Sequence, residues 1–213
     1  MKKNPFNTFT DEYEKWFIEN ETLFKSELLA LKRVIPIDKK GIEIGVGSGI
    51  FAEKLSLNYG VDPSWKMLEL ARKRKIRVIR AVAEQLPCSA CNFHFVVFIT
   101  SICFIDDPIS AIKEAYRILK NDGEIIVAFI DRESSLGQLL QKNKHDSRFY
   151  KFANFYSVKE ISSLIESAGF RIVATYQTLT KMNQQIIEQP LEGYGQGGFV
   201  VIKGKKQRAT EQT

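Results

Sequence analysis

Cysteine, histidine and long apolar runs are all scarce in this chain. Three cysteines in 213 residues are too few, and odd in number, for a disulfide framework; such usage fits a reducing compartment, and a cytoplasmic location is expected. Cys88-Ser89-Ala90-Cys91 is a C-x-x-C, but no second pair completes the ligand set of a zinc site, so no metal is expected. The only histidines are His94 and His145, which narrows any search for an imidazole base. No apolar run approaches the about 20 residues that a membrane-spanning helix needs. The opening Met1-Lys2-Lys3-Asn4-Pro5 lacks the apolar core of a secretory signal.

What is present is the composition of an ordinary soluble domain, long enough to bury a sizeable core. The net charge is +6, and its densest source is Arg72-Lys73-Arg74-Lys75-Ile76-Arg77, with Arg80 close behind. This run reads as the solvated face and exit of a surface helix rather than a nucleic-acid patch, because no aromatics interleave with it. Much of the remaining excess lies in residues 203–208, and residues 204–213 are expected to form a disordered tail.

The informative stretch is Gly41-Ile42-Glu43-Ile44-Gly45-Val46-Gly47-Ser48-Gly49. An apolar run enters glycines spaced G-x-G-x-G, with an acid two residues before Gly45. Glycine lets the backbone turn sharply and lets a ligand approach closely. A helix starting near Ser48 would point free N–H groups at that ligand. A second acid, Asp62 in Tyr59-Gly60-Val61-Asp62-Pro63, ends the next strand and can accept from both hydroxyls of a ribose. A dinucleotide site wants G-x-G-x-x-G; here the third glycine comes one residue early and Ile50 follows it. An adenosine carrying an amino-acid tail suits the site better, its ammonium near Glu43.

Strand and helix signals alternate, which predicts a parallel sheet covered on both faces. Apolar strands read near Gly41–Gly45, Asn58–Val61, Ile76–Arg80, Phe95–Thr100 and Glu124–Phe129, and closing strands at Phe170–Leu179 and Gly198–Lys203. A first helix is expected from near Thr10 to near Arg33, with Thr8 and Asp11 at capping-box spacing. Asp107 and Pro108 open another helix. Ser157 and Glu160 form a second capping box, and Gly169 stops that last helix.

These segments resemble the class I S-adenosylmethionine-dependent methyltransferases, and within them the small ubiquinone-biosynthesis-like subfamily. Glu43 to Gly49, Val61-Asp62-Pro63-Ser64 with Met67-Leu68, Ala83-Glu84-Gln85-Leu86-Pro87, Phe104-Ile105-Asp106-Asp107-Pro108 and Glu114 to Lys120 with Gly123 carry the resemblance. It implies an α/β fold: a Rossmann-like, seven-stranded, mostly parallel sheet of order 3-2-1-4-5-7-6 with helices on both faces. The expected organisation is one domain over residues 1–203. Residues 1–33 would form an N-terminal lid helix and 131–156 an acceptor-pocket insert between the fifth strand and the last helix. The cofactor implied is S-adenosyl-L-methionine. Tyr13, Glu43, Gly45, Gly47, Asp62, Met67, Ala83, Glu84, Thr100 and Ser101 would hold it.

The acceptor is expected to be a small molecule. Rival readings are an RNA methyltransferase, which the basic balance permits, and a non-catalytic donor-binding protein. No N-P-P-Y or D-P-P-Y follows the fourth strand, which argues against methylation of DNA bases. Trp16, Cys103, Arg132, Arg148 and Tyr150 are the expected pocket residues. Arg148, Phe149, Tyr150, Lys151 and Phe152 mix charge with rings, a combination suited to a flat anionic or aromatic acceptor. Tyr13, Trp16 and Phe17 share one helical face and serve either as core or as an aromatic lid. Cys103 reads as a small buried residue or as a nucleophile. His94 reads as structural, at the wrong end of the sheet. His145, in the insert, is the candidate general base or a plain loop residue.

Overall fold

The computed structural model describes residues 5–181 and 185–207. Its strands are β1 (Gly41–Ile44), β2 (Tyr59–Asp62), β3 (Arg77–Arg80), β4 (Phe93–Ile99), β5 (Leu119–Ile130), β6 (Phe170–Thr178), β7 (Leu191–Glu192) and β8 (Phe199–Lys206). They form one sheet of order β3-β2-β1-β4-β5-β8-β6-β7. The first five in that order are parallel. β8 runs antiparallel between β5 and β6. The expected order is therefore present, with one two-residue edge strand, β7, added beside β6.

The helices are α1 (Thr10–Glu19), α2 (Glu21–Lys32), α3 (Ile50–Lys54), α4 (Trp65–Lys73), α5 (Pro108–Ile118), α6 (Ser135–Lys142) and α7 (Val158–Ser167). Side chains alternate across the sheet, as a pleated strand requires. Val96, Phe98, Ile125, Val127, Val200 and Ile202 pack with Ile112 and Ala115 of α5 and Ile161 and Ile165 of α7. Phe95, Val97, Ile99, Ile126 and Val201 pack on the other face with Leu28, Leu31, Phe51 and Leu68. Among the described residues no helix is long and apolar enough to cross a membrane.

The caps read at two helices are present. The Asp107 side chain accepts from Ser110 N at the start of α5. Ser157 and Glu160 close a complete capping box at α7. The expected first helix, however, is two. It breaks at Asn20, whose side-chain amide donates to the Trp16 carbonyl at 2.9 Å and ends α1. Thr8 and Asp11 form no capping box either; Phe9 is the N-cap residue of α1 and makes no side-chain cap.

The expected disordered tail does not begin at Gly204. Gly204, Lys205 and Lys206 belong to β8, paired with β5 and β6. Lys206 Nζ donates to the carbonyls of Tyr116 and Leu119 at 2.9 and 3.0 Å. Residues 208–213 lie outside the described residues. The basic run around α4 is mostly exposed, as a solvated helix face is, and several of its arginines contact the fold: Arg72 lies over the Trp65 ring at 4.6 Å, Arg74 Nη1 donates to Ser48 O at 3.0 Å, and Arg80 Nε donates to Pro63 O at 3.1 Å.

Candidate functional site

Parallel strands β1 and β4 are neighbours whose following connections leave in opposite directions. In open α/β sheets that crevice, beyond the carboxyl ends of the strands, is where ligands lie. Here it opens into a cavity of about 1110 Å³. The floor comes from Gly45 and Gly47 after β1, Asp62 and Pro63 after β2, and Thr100 and Ser101 after β4. Ala83 and Glu84 line one side, with Val82 and Asp106 beside them. Helix α1 and the insert form the roof.

The glycine loop has the conformation its spacing predicts. Gly45 has φ +76° and Gly47 φ +51°, values that L side chains adopt only with strain. A Cβ on Gly45 would come within 2.4 Å of Ser101 Cβ. Ser101 Oγ in turn donates to Ile44 O at 2.7 Å, so β1 and β4 are pinned together at the cavity floor. The helix expected near Ser48 starts later and is short: α3 runs Ile50–Lys54, with Gly49 as its left-handed N-cap. Thr100 also has a positive φ, +48°. That conformation costs a β-branched residue about 1–3 kcal/mol and concentrates at functional sites.

Asp62 is the best-defined polar group at the floor. Its Oδ2 accepts from Gly47 N at 2.9 Å and its Oδ1 from Ser64 N at 2.8 Å. Each oxygen keeps a further lone pair for a ligand. Burial raises the Asp62 carboxyl to about 6, against the pull of those two N–H groups. Glu43 is buried behind the wall rather than at its surface. Its Oε2 has no hydrogen-bond partner among the described residues. Burial first, and the Asp62 charge second, push its carboxyl well above the usual range. Tyr13 lies close enough to Gly47 that a Cβ there would meet its Oη at 3.3 Å. Burial, then Glu43 and Asp62, drive its phenol far above the ordinary value.

Tyr13, Gly45, Gly47, Asp62, Ala83, Glu84, Thr100, Ser101, Trp16 and Tyr150 all reach the cavity. Met67 does not. It is fully buried, and its backbone N–H donates to the Ser64 Oγ cap of α4. Arg132 is turned away, paired with Glu160 at 2.8 Å and donating to Phe155 O at 3.2 Å. Arg148 pairs with Glu12 and lies over the Phe9 ring at 4.8 Å. Both cations hold the insert in place instead of facing a ligand.

Cys103 lines a separate small apolar hollow with Phe129 and Phe155. Burial pushes its thiol up to about 12, which removes it as a thiolate nucleophile. His145 is exposed and absent from the cavity wall, so it is not placed to act as a base there. His94 is structural, its Nδ1 accepting from Lys40 N at 3.2 Å. Among the described residues no group of three His, Cys, Asp or Glu could hold a metal.

Several lining residues escaped the sequence reading. Phe6 packs edge-on against Phe104 at 5.0 Å and lies 5.3 Å from Phe149, so the N-terminal segment and the insert meet over the cavity. Leu136 and Leu140 of α6 enter from the insert, and Glu27 of α2 from beneath. The signal for Glu27 was available: Phe24, Glu27, Leu28 and Leu31 share one buried helical face, and one of the four is an acid.

The family model for a methyltransferase domain matches residues 18–175. An uncharacterised protein of Methanocaldococcus jannaschii is 44% identical over 204 residues, 95% of this chain and 99% of that protein. A ubiquinone biosynthesis O-methyltransferase of Pseudomonas putida is 24% identical over 70% of this chain and 74% of its own length. Among solved structures, a SAM-dependent methyltransferase of Thermotoga maritima, described as a possible histamine N-methyltransferase, superposes with a TM-score of 0.92. It is 47% identical and covers 95% of this chain and 99% of its own.

Proposed function

Because this chain belongs to the S-adenosylmethionine-dependent methyltransferases, we propose that it methylates a small-molecule acceptor enclosed in the cavity beside the donor. One observation carries the reading: donor-side wall and apolar far end belong to a single roofed cavity of about 1110 Å³. Pockets for one ligand run to about 300–1,000 Å³, so this cavity leaves room beside a donor. A polynucleotide would need an open basic track, whereas Arg132 and Arg148 are spent on Glu160 and Glu12. The names of the Thermotoga and Pseudomonas proteins, a possible histamine N-methyltransferase and a ubiquinone biosynthesis O-methyltransferase, point to small-molecule acceptors and add support.

The residues present fit the donor. Asp62 takes the ribose hydroxyls, and Ala83 and Glu84 border the adenine. Gly45 and Gly47 let the methionine portion approach the backbone. Glu43 backs that loop from behind the wall, its Oε2 left without a partner among the described residues. Tyr13 covers the sulfonium end, where a ring face favours a cation. Thr100 and Ser101 flank the transfer point. The donor brings a methyl group already activated as a sulfonium; the chain's task is to orient the acceptor and exclude water.

Calorimetric titration with S-adenosylmethionine and S-adenosylhomocysteine, with NAD as control, should show binding of the first two and none of NAD. Ribose hydroxyls donate to an ionised carboxylate, so affinity should be lost as pH falls through the Asp62 value of about 6. The loss is up to about tenfold per pH unit. A pH-independent affinity between neutral and mildly acidic solution would remove Asp62 from the ribose. For the acceptor, labelled donor incubated with cell extract should place its methyl label in the low-molecular-weight fraction. Label in RNA, with steep salt dependence of binding, would transfer the assignment to an RNA substrate.

A further inference from the structure

The roles assigned above leave one buried carboxyl group of the cavity unused. Glu27, on α2, is only 4% exposed, yet it lines the cavity. Among the described residues it has neither a hydrogen-bond nor an ion-pair partner. Leu23 lies one helical turn away on the same wall, and Phe17, Leu136, Leu140 and Leu179 complete the apolar lining. Tyr150, from the insert, is near enough to feel the Glu27 charge.

A carboxyl group in such a place is costly to the fold. Burial alone raises it to about 8. A well-packed apolar residue at this position would be neutral or stabilising, whereas a buried charge without a partner is a liability. Its expense is explained if the partner arrives with the ligand. The sign of the rest of the wall agrees: carboxylates outnumber lysines around the cavity. Lys15 and Glu19 cancel as an ion pair at 3.0 Å, Glu12 is paired with Arg148, and Lys144 donates to Ala153 O at 2.7 Å; Asp62, Glu84 and Asp106 still stand against Lys144 and Lys151. The field inside the cavity therefore draws in a cation and repels an anion.

We propose that Glu27 is the acceptor-recognition residue of this enzyme and that the acceptor is an organic amine, its ammonium held by the Glu27 carboxylate and its apolar body by the surrounding leucines and Phe17. This rests on the small-molecule reading above. It replaces the anionic acceptor that the arginines of the insert suggested. The carboxylate and the ammonium attract one another in a mostly apolar site and fix the acceptor's orientation relative to the donor; for transfer to nitrogen the ammonium's proton passes first to the Glu27 carboxylate, and the freed lone pair takes the methyl group as the donor's sulfur–methyl bond breaks.

The test uses the intact protein saturated with S-adenosylhomocysteine. A panel of aralkylamines, beginning with phenethylamine, is titrated by calorimetry, each paired with the alcohol of the same shape. The wild-type protein should bind the amines at least about tenfold tighter than the alcohols, as expected for a hydrogen bond between charged groups. Glu27→Gln keeps the shape and removes the charge; it should erase that preference while S-adenosylhomocysteine binding stays unchanged. Because burial raises the Glu27 carboxyl to about 8 and so keeps it mostly protonated at neutral pH, the neutral amide should not lower the thermal midpoint. Failure of the wild type to bind any amine, equal binding of amines and alcohols, or an undiminished preference in Glu27→Gln would each overturn the proposal. Loss of S-adenosylhomocysteine binding in the wild type would be a different failure, that of the donor site itself.

Discussion

Asp62→Ala should lower donor affinity by roughly 100-fold or more, out of range of an ordinary calorimetric titration. Each hydrogen bond to a charged group contributes about 1.5–3 kcal/mol. Two ribose hydroxyls on one carboxylate thus account for about 3–6 kcal/mol, at tenfold in affinity per about 1.4 kcal/mol. The loss is compounded by the loop. Asp62 Oδ2 accepts from Gly47 N at 2.9 Å, so alanine also frees the segment on which the methionine portion of the donor lies. Asp62→Asn separates the two effects. It keeps one oxygen and the shape, can still accept one backbone N–H, and should fall between alanine and wild type. A retained thermal transition with lost binding is the expected pattern; wild-type affinity in Asp62→Ala would sink the assignment.

Gly45→Ala should damage both stability and donor binding. The added methyl carbon would lie 2.4 Å from Ser101 Cβ and 2.9 Å from Ser101 Oγ, well inside contact distance. The backbone there has φ +76°, where alanine is strained. Overpacking costs about 1–3 kcal/mol and a left-handed non-glycine residue about 1–3 kcal/mol. A stability loss of about 2–6 kcal/mol is therefore expected in chemical denaturation. Ser101→Gly in the same chain removes the clash but not the φ penalty, and should restore part of the loss. If the double variant is no better than Gly45→Ala, the contact with Ser101 is not what constrains this glycine.

The parts of the fold that the sequence reveals are those fixed by neighbours a few residues apart. The loop from Glu43 to Gly49, the caps at Asp107 and Ser157 and the apolar strands β1 to β5 all depend on local chemistry, and the structure has them. The break at Asn20 is less visible, because apolar periodicity continues on both sides and an asparagine can sit within a helix as well as end one. The arginines fail for a plainer reason. Arg148 meets Glu12, 136 positions earlier, and no pattern along the chain announces that pair. Met67 follows β2 and Cys103 follows β4 in the chain, but the direction of each side chain is a matter of packing. Of the residues resembling the family's donor site, those carried by backbone geometry, Gly45, Gly47 and Asp62, reach the cavity. Glu27 is legible only through its helical neighbours Phe24, Leu28 and Leu31, which place an acid on a face that packing buries.

The strand that completes the sheet also sets an order on its assembly. β8 lies between β5 and β6 but follows both in the chain. As the polypeptide leaves the ribosome, the facing edges of β5 and β6 emerge first and wait for a partner. An open apolar edge is where nascent chains pair wrongly with one another. The five parallel strands, which carry the glycine loop and Asp62, need nothing from β8 for their mutual pairing. A chain halted before Phe199 would thus hold the elements of the donor floor on a sheet that is still unsealed. Ligand present during synthesis would then act on an unfinished fold, favouring correct closure before the last strand arrives.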